Sequence, residues 1–205
     1  TESTYIVTDD PSMTSSQTIS LEEGRRIARI QEEHLSEQTA LVIDGYIGND
    51  PDFRCPARLV IDERWANIAG MQDHLLFKEL PAGSDFSPWF TVVYTPGLLA
   101  EGYPQERLIA VDLEAGVTRV LNSDYFGESK KGLLRMWNQL VYERGGLALH
   151  AGCKVVPTAA GPRTLLIVGR LRHRQDHHHL HPPERQQAGS GRLRGADARR
   201  QGLRE

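Results

Sequence analysis

Apolar residues recur along residues 1–169 with two different periods, and these periods predict the secondary structure. Short apolar runs bounded by Gly, Pro or Asp indicate strands; they cover residues 5–7, 40–48, 57–61, 90–94, 108–113, 117–121, 146–156 and 164–169. Apolar residues three and four positions apart predict helices over residues 21–35, 63–76 and 129–142. The run at 40–48 is apolar except for Asp44 and its glycines, which predicts a buried strand running into a glycine turn.

Two short sequence motifs add a helix start and a hairpin turn to these predictions. Ser20 is followed three residues later by Glu23, the spacing of a capping box at a helix start. The sequence Glu114-Ala115-Gly116 separates two apolar runs and predicts a hairpin. Strands and helices alternate without an internal repeat, so we predict a mixed α/β fold.

The charge and the apolar content of the chain both change after residue 169. The 205-residue chain has a formal net charge of −3, which is ordinary for a globular protein. Residues 170–205 carry nine Arg against four acidic residues, a net charge of +5, whereas the 15 basic and 23 acidic residues before them leave −8. After Gly169 there is no Val, Ile, Phe, Tyr, Trp or Met. Such a segment cannot bury enough apolar surface to fold, so we predict a disordered tail over residues 170–205.

The cysteine content and the length of the apolar runs indicate the cellular compartment of the protein. Only Cys55 and Cys153 are present, which argues against a disulfide framework and favours a reducing, cytoplasmic compartment. No apolar run approaches the length of a membrane span and no signal peptide precedes the first predicted strand, so we expect no membrane partner. Because the chain starts at Thr1 rather than Met, we expect a trimmed or fragmentary gene product.

The sequence YFGESKKG, residues 125–132, carries the first candidate chemistry. Lys130 and Lys131 lie side by side at a predicted helix start, where the helix dipole disfavours cations unless an anion or a lowered pKa offsets it. An anion-binding or metal-binding role explains the pair. A solvated pair of surface lysines explains it equally well from these residues alone.

The sequence LALHAG places His150 at the end of a predicted apolar strand. A histidine there can ligate a metal, but from this residue alone a core or edge histidine with satisfied hydrogen bonds is favoured.

The sequence TLLIVG, residues 164–169, is an apolar strand ending in glycine, like the strand before a phosphate loop. The rest of that loop, Gly-x-x-x-x-Gly-Lys-[Ser/Thr], does not follow; RLRHRQD does. Reading the codons of residues 172–181 one base later, with permitted third bases, gives Gly-Thr-Gly-Lys-Thr-Thr-Thr-Thr-Phe-Thr and completes the loop from Gly169 in register. The same shift permits a later Asp-Asp. We therefore predict a frameshift after Gly169, which sequencing the gene across codons 165–175 tests.

Together these residues resemble the ATP-dependent phosphoenolpyruvate carboxykinases over nearly all of residues 4–169. The sequence TYIVTDD is similar to a strand of that family, YFGESKKGLLRMWNQLV to its Tyr-x-Gly-Glu-x-Lys-Lys-Gly helix, and GGLALHAGCKVV to the strand that carries its metal-binding histidine. The frame-shifted Gly-Thr-Gly-Lys-Thr and Asp-Asp are similar to its nucleotide and metal motifs. The resemblance implies an α/β fold with a mixed-sheet amino-terminal domain over residues 1–144, the first strands of a phosphate-loop nucleotide-binding domain over 145–169, and the tail over 170–205.

The resemblance also implies a reaction and its site residues. Oxaloacetate and ATP would give phosphoenolpyruvate, ADP and carbon dioxide, a step of gluconeogenesis. Lys131 and His150 would ligate Mn²⁺ and act as the catalytic residues, and Tyr125 and Lys131 would bind the substrate. His150 and Gly169 would contribute to cofactor binding, Gly169 by opening the loop around the ATP phosphates, with Mg²⁺ on the nucleotide. The expected partners are these small molecules, with no nucleic acid and a monomeric chain.

Three departures from the family pattern lead us to expect that the 205-residue chain is inactive. The family's substrate-binding arginine, in a Gly-Arg-[Ser/Thr]-Pro motif, would precede Thr1. The phosphate-loop lysine and the metal-binding aspartate exist only in the shifted frame. The asparagine expected shortly after His150 is absent.

Two other functions stay open from the sequence. A non-enzymatic metal- or anion-binding protein would use the tail, with its arginines on nucleic acid and Zn²⁺ or Ni²⁺ on its histidines, which are His177, His178, His179 and His181. Consecutive histidines lack the spacing of a folded site, which disfavours this function. A different phosphate-loop kinase would share the strand before Gly169, but the Tyr-x-Gly-Glu-x-Lys-Lys-Gly match argues against it.

Overall fold

The computed structural model describes residues 2–13, 17–78 and 86–169 of the chain. The chain divides into two units, Thr1–His150 and Ala151–Glu205. The predicted disordered tail at 170–205, its histidines and the frame-shifted phosphate loop lie outside the described residues.

A seven-stranded mixed sheet forms the centre of the first unit, in the order β2-β1-β6-β7-β5-β4-β3. Its strands are β1 Thr4–Val7, β2 Thr18–Ile19, β3 Ala40–Ile47, β4 Cys55–Asp62, β5 Phe90–Thr95, β6 Leu108–Asp112 and β7 Val117–Leu121. Neighbours pair in parallel except for β3 with β4 and β6 with β7, which are antiparallel. The predicted mixed α/β fold and the predicted hairpin at 114–116 are therefore confirmed.

Three α-helices accompany the described strands: α1 Leu21–Ser36, α2 Ala66–Asp73 and α3 Gly127–Glu143. The Ser20 half of the capping box predicted for α1 is present, because Ser20 Oγ accepts a hydrogen bond from Glu23 N at 3.1 Å, but the Glu23 side chain binds other partners than Ser20 N. The Glu23 carboxylate pairs with Arg26 at 2.7 Å and accepts a hydrogen bond from Tyr103 Oη at 2.8 Å. Within the described part of the chain, no helix combines the length and the apolarity needed to cross a membrane.

The helices cover both faces of the sheet. Side chains alternate between the faces of a strand, and on β6 they join two different cores. Leu108 and Ala110 pack with Ile27 of α1, whereas Ile109 and Val111 belong to the larger core that α2 and α3 complete. The sheet is therefore a layer between α1 on one face and α2 with α3 on the other.

The strand predicted as buried at 40–48 is an edge strand instead. Among the described strands β3 pairs with β4 alone, and Val42 is 53% exposed. The apolar run specified the strand correctly, but burial depends on its position in the sheet, which the run does not encode.

Two other predicted elements are shorter than expected. Residues 63–76 begin with a 3₁₀ turn at Glu63–Trp65, where Asp62 Oδ1 accepts a hydrogen bond from Arg64 N at 2.9 Å, and only Ala66–Asp73 form α2. The strand predicted at 146–156 starts only at Gly152, because its partner strand offers five residues for pairing.

The second unit contains an antiparallel pair in its described residues, β8 Gly152–Val156 and β9 Arg163–Ile167. The turn between the strands closes with mutual backbone hydrogen bonds between Thr158 and Gly161 at 3.2 and 3.0 Å. The apolar side chains of β9, Leu165, Leu166 and Ile167, are more than half exposed.

Candidate active site at the start of α3

The candidate site lies where two parallel neighbours of the sheet, β5 and β7, end. β5 ends at Thr95 and β7 ends at Leu121, and four residues later Tyr125 leads into α3. In open α/β sheets, ligands bind outside the carboxyl ends of the strands. The segment that the sequence singled out therefore occupies the position in the fold where binding residues are expected.

The backbone of Tyr125 is held from inside the fold. Tyr94 of β5 is fully buried and donates its hydroxyl hydrogen to Tyr125 O at 2.8 Å. Tyr125 N donates to Ser123 Oγ at 3.4 Å. Burial raises the pKa of Tyr94 to about 12, so the hydroxyl stays a hydrogen-bond donor well above neutral pH. The Tyr125 ring itself is 60% exposed.

Replacing Tyr94 with Phe tests this anchor. We expect the free energy of unfolding at pH 8 to fall by about 1 kcal/mol, because Tyr125 O loses its donor. The folded pKa lies above the ordinary value of 10.0, so the stability that the neutral phenol provides is present below pH 10 and is lost as the pH rises towards about 12. Urea unfolding at pH 8 and at pH 11 should show the wild-type advantage shrinking at the higher pH. An advantage that grows with pH would contradict this assignment.

Two side chains are stacked at the helix start. A Cβ on Gly127 would lie 2.3 Å from Tyr125 Cε1, so the Tyr125 ring can fold back over the helix only because residue 127 is glycine. Lys131 Nζ lies 5.0 Å from the centroid of the same ring, within the range of a cation–π contact. Tyr125 and Lys131, both predicted as site residues, are thus neighbours.

A buried carboxylate organises the cations of α3. Glu128 is 4% exposed, and its Oε1 and Oε2 atoms lie 3.0 Å from Lys131 Nζ and 3.1 Å from Arg135 Nη2. Burial alone would raise the pKa of Glu128, but the hydrogen bonds and charges of Lys131 and Arg135 outweigh it, so the pKa lies below its ordinary value. Glu128 is therefore the anion that offsets the unfavourable effect of the helix dipole on cations near this helix start.

The two adjacent lysines therefore differ. Lys130 is exposed, as the solvated-pair interpretation expects. The Lys131 side chain is 40% exposed and paired with Glu128, so its ammonium group is held at a fixed point of the surface.

Glu128 and a buried hydrogen bond that anchors α3 to α2 were not predicted from the sequence. Ser129 Oγ donates to Gln72 Oε1 of α2 at 2.8 Å, and both residues are buried. An acidic residue in a first helical turn is usually a surface residue that interacts with the dipole, so no signal in the sequence marked Glu128 as buried.

The other two predicted site residues lie on other segments. His150 is exposed and lies outside the regular elements, two residues before β8. Gly169 belongs to the second unit, two residues after β9, and is exposed. His150 is therefore not a core histidine, whereas the alternative of an edge histidine agrees with its exposure.

The described side chains show whether they could coordinate a divalent metal. In residues 2–13, 17–78 and 86–169, no group of three or more His, Cys, Asp or Glu side chains is arranged to hold a metal ion. The donors that the sequence predicted are two nitrogens, and Lys131 Nζ is engaged as an ammonium with Glu128. These two nitrogens can form part of a metal site but not a complete one, which takes four or more ligands.

Comparison with known proteins agrees with the sequence resemblance. The family model described as phosphoenolpyruvate carboxykinase, in its ATP-dependent form, matches residues 2–167. The chain is 29% identical over 131 residues to phosphoenolpyruvate carboxykinase (ATP) 2 of Moorella thermoacetica, covering 60% of this chain and 24% of that protein. It is 30% identical over 128 residues to phosphoenolpyruvate carboxykinase (ATP) of Rhizobium rhizogenes, with the same coverage of both chains. The chain spans about a quarter of the length of the curated relatives it matches.

Proposed function

The chain belongs to the ATP-dependent phosphoenolpyruvate carboxykinase family, and from this premise we propose that it is the amino-terminal part of an enzyme of that activity. The proposed reaction converts oxaloacetate and ATP into phosphoenolpyruvate, ADP and carbon dioxide, in gluconeogenesis. The observation that carries the proposal is the stack of Tyr125 and Lys131 over a helix start at the carboxyl ends of β5 and β7. We place the enzyme in the cytoplasm as a monomer, with no nucleic-acid or membrane partner.

The proposed reaction needs positive charge beside the enolate that forms from oxaloacetate. Loss of carbon dioxide from oxaloacetate leaves an enolate, whose oxygen attacks the γ-phosphorus of ATP and displaces ADP. Fixed cations stabilise such developing charge better than mobile ones, because they need no reorganisation during the reaction. Lys131 fits this role, since Glu128 and the Tyr125 ring fix its Nζ atom at the surface. The exposed Tyr125 hydroxyl is proposed to bind the substrate.

The metal and nucleotide roles are proposed from family membership. When bound, Mn²⁺ supplies positive charge beside the enolate oxygen, and Lys131 and His150 are the residues that we propose hold it. A lysine ligates a metal only as the neutral amine, so Lys131 would have to give up both a proton and its ion pair with Glu128. Gly169 is proposed to open the loop around the ATP phosphates, with Mg²⁺ on the nucleotide.

The proposed domain organisation follows the same comparison. Residues 1–144 would form the substrate-side domain, 145–169 would begin the nucleotide-binding domain, and 170–205 would be the out-of-frame tail. The phosphate loop would then be encoded in the shifted frame, and the 205-residue chain itself would be inactive.

The frame-corrected full-length gene product tests the proposal. We expect it to form phosphoenolpyruvate from oxaloacetate with ATP, and the 205-residue chain to form none. Lys131→Met should lower kcat/KM about 10²-fold, as loss of one fixed charge-stabilising group does. Lys130→Met is the matched control, because Lys130 is adjacent but exposed, and it should stay close to wild type.

Two results would overturn the proposal. One is a corrected gene product that folds and binds ATP but forms no phosphoenolpyruvate. The other is an equal loss of activity in the Lys130 and Lys131 variants. The frame hypothesis fails separately if genomic DNA from independent isolates keeps the present frame across codons 165–175.

A further inference from the structure

The eight-residue strand β3 forms one edge of the seven-stranded sheet. Tyr46 N donates to Phe77 O at 2.8 Å and Phe77 N donates to Tyr46 O at 3.0 Å, so both backbone groups of Tyr46 point away from β4. Its partner on β4 is Pro56, which has no N–H to donate. Because residues two apart in an antiparallel strand orient their backbone groups alike, those of Val42 and Asp44 also point outwards. Such an edge is a template for pairing with another chain.

The sequence of β3 offers little protection against such pairing. Natural edge strands carry charged side chains, proline or a bulge that discourage other chains. The strand ALVIDGYI has no proline, pairs with β4 without a bulge, and carries a single charged side chain, Asp44. Arg58 of β4 binds that carboxylate through hydrogen bonds of 2.7 and 2.8 Å and so neutralises it. The side chains of β3 alone would therefore not repel a second copy of the strand.

Residues 76–78, which we call the edge seal, cover part of this edge. Leu76 is buried. A Cβ on Gly45 would lie 2.6 Å from Leu76 Cβ and 3.0 Å from Phe77 O, so the seal can approach β3 only because residue 45 is glycine. The hydrogen bonds between Phe77 and Tyr46 then occupy backbone groups that a further strand would need.

Lys78 adds a positive charge to the edge seal. Its Nζ atom donates to Asp44 O at 2.7 Å and pairs with Asp73 Oδ1, at the end of α2, at 2.5 Å. The ammonium group thus occupies an outward-facing carbonyl of β3. A second chain would have to displace it, and a second copy would bring its own Lys78 to the same edge, where like charges destabilise pairing.

We propose that the edge seal prevents the chain from pairing with a second copy through β3. Opening the seal frees the outward groups of Asp44 and Tyr46 next to those of Val42. Two copies can then form an antiparallel pair of β3 strands related by a two-fold axis, in which each strand makes the same contacts. This role concerns the sheet edge alone and does not depend on the proposed enzymatic function.

Hydrogen exchange of the full 205-residue chain tests whether the edge seal is closed. The amides of Tyr46 and Phe77 are hydrogen-bonded across the edge, whereas the Val42 amide points outwards. We expect the first two amides to exchange about tenfold or more slowly relative to the Val42 amide, after correction for intrinsic rates. Equal protection of Val42 would mean that another segment covers the edge, and would contradict the proposal.

Analytical ultracentrifugation over a concentration series measures the pairing itself. Lys78→Ser removes the ammonium group, and Phe77→Pro removes the N–H that binds Tyr46 O. We expect the variant with both changes to have a dimer dissociation constant about tenfold or more below that of the wild type, with its circular dichroism spectrum retained. Lys78→Arg keeps the charge and the donor and should sediment as the wild type does.

Two further variants guard this comparison. Lys130→Ser is the matched control, because it removes an exposed lysine from α3 and should leave the association unchanged. Should the double variant fail to fold, Lys78→Ser alone decides the test by the same direction of change, because the Lys78 side chain is 43% exposed and its loss leaves the core intact.

A proline at position 42 shows whether β3 is the paired edge. The Val42 N–H points outwards, so Val42→Pro removes no hydrogen bond to β4 and denies that donor to a second chain. We expect Val42→Pro to return the opened variant to the dissociation constant of the wild type, and to have no effect in the wild-type chain. Three outcomes would overturn the proposal: no gain of association in a folded opened variant, a gain that Val42→Pro does not reverse, or wild-type association that Val42→Pro alone reduces.

Discussion

Replacing Glu128 with alanine is expected to lower the free energy of unfolding by about 3 kcal/mol, the cost of removing one partner from a buried ion pair. The carboxylate is almost fully buried and serves two cations, Lys131 and Arg135. Without it, these cations face each other with no anion between them. Arg135 Nη1 is already buried without a hydrogen-bond partner among the described residues, so the guanidinium has no replacement contact close by.

Urea unfolding of the full chain measures this loss. Glu33→Ala on α1 is the matched control, because Glu33 is exposed and its removal should change stability by less than about 0.5 kcal/mol. A loss of similar size in both variants would mean that Glu128 does not organise the cations.

The pH dependence of a Glu128→Gln variant separates charge from packing. The folded pKa of Glu128 lies below its ordinary value of 4.5, so the stability that its ionised form provides is present above that value. It is lost as the pH falls through the folded pKa. The wild-type advantage over Glu128→Gln should therefore be full at pH 7 and reduced at pH 3. An advantage that is unchanged at pH 3 would contradict the ionic explanation.

Replacing Gln31 with leucine is expected to cost about 3 kcal/mol, since it leaves several buried polar groups without a partner. Gln31 Nε2 donates to Thr95 Oγ1 at 2.9 Å and to Val93 O at 3.1 Å. Its Oε1 atom accepts a hydrogen bond from Arg119. One side chain of α1 thus joins the helix to both β5 and β7, and leucine has a similar size but none of these hydrogen bonds.

The control for Gln31 is its neighbour Glu32. Glu32 binds the same arginine, but its side chain is 66% exposed, so Glu32→Gln should cost less than about 0.5 kcal/mol. Chemical unfolding should show a larger loss of stability for Gln31→Leu than for Glu32→Gln. Equal losses would mean that the surface ion pair, rather than the buried amide, fixes Arg119.

Local chemistry explains which parts of the fold were predictable. Ser20 caps α1 as its spacing with Glu23 predicted, and Gly116, with φ of +65°, closes the turn between β6 and β7. These features depend on residues a few positions apart. The exposure of Val42 depends on β3 being the sheet edge, and strand order is set by contacts between residues that are distant in sequence.

The candidate site also contains residues that the sequence marked and residues that only the tertiary structure revealed. The lysine pair at 130–131 stood out because it opens a helix, and the family resemblance singled out Tyr125 and Lys131. Glu128 and Tyr94 did not, because their importance lies in burial and in bonds to residues that only the tertiary structure brings close. The loop position of His150 was missed because the apolar residues before it suggested a longer strand.

The strand order also has a consequence for synthesis of the chain. β1 is the first strand to be made, yet its parallel partner is β6, with Tyr5 paired to Ala110. At about 5–20 residues per second, the ribosome needs roughly 5 to 20 s to supply that partner. Until then β1 can pair only with the two-residue strand β2, through Ile6 with Thr18 and Val7 with Ile19, and its β6 side stays open. Every strand of the seven-stranded sheet is nevertheless encoded before Gly169, so the sheet can assemble whichever reading frame follows.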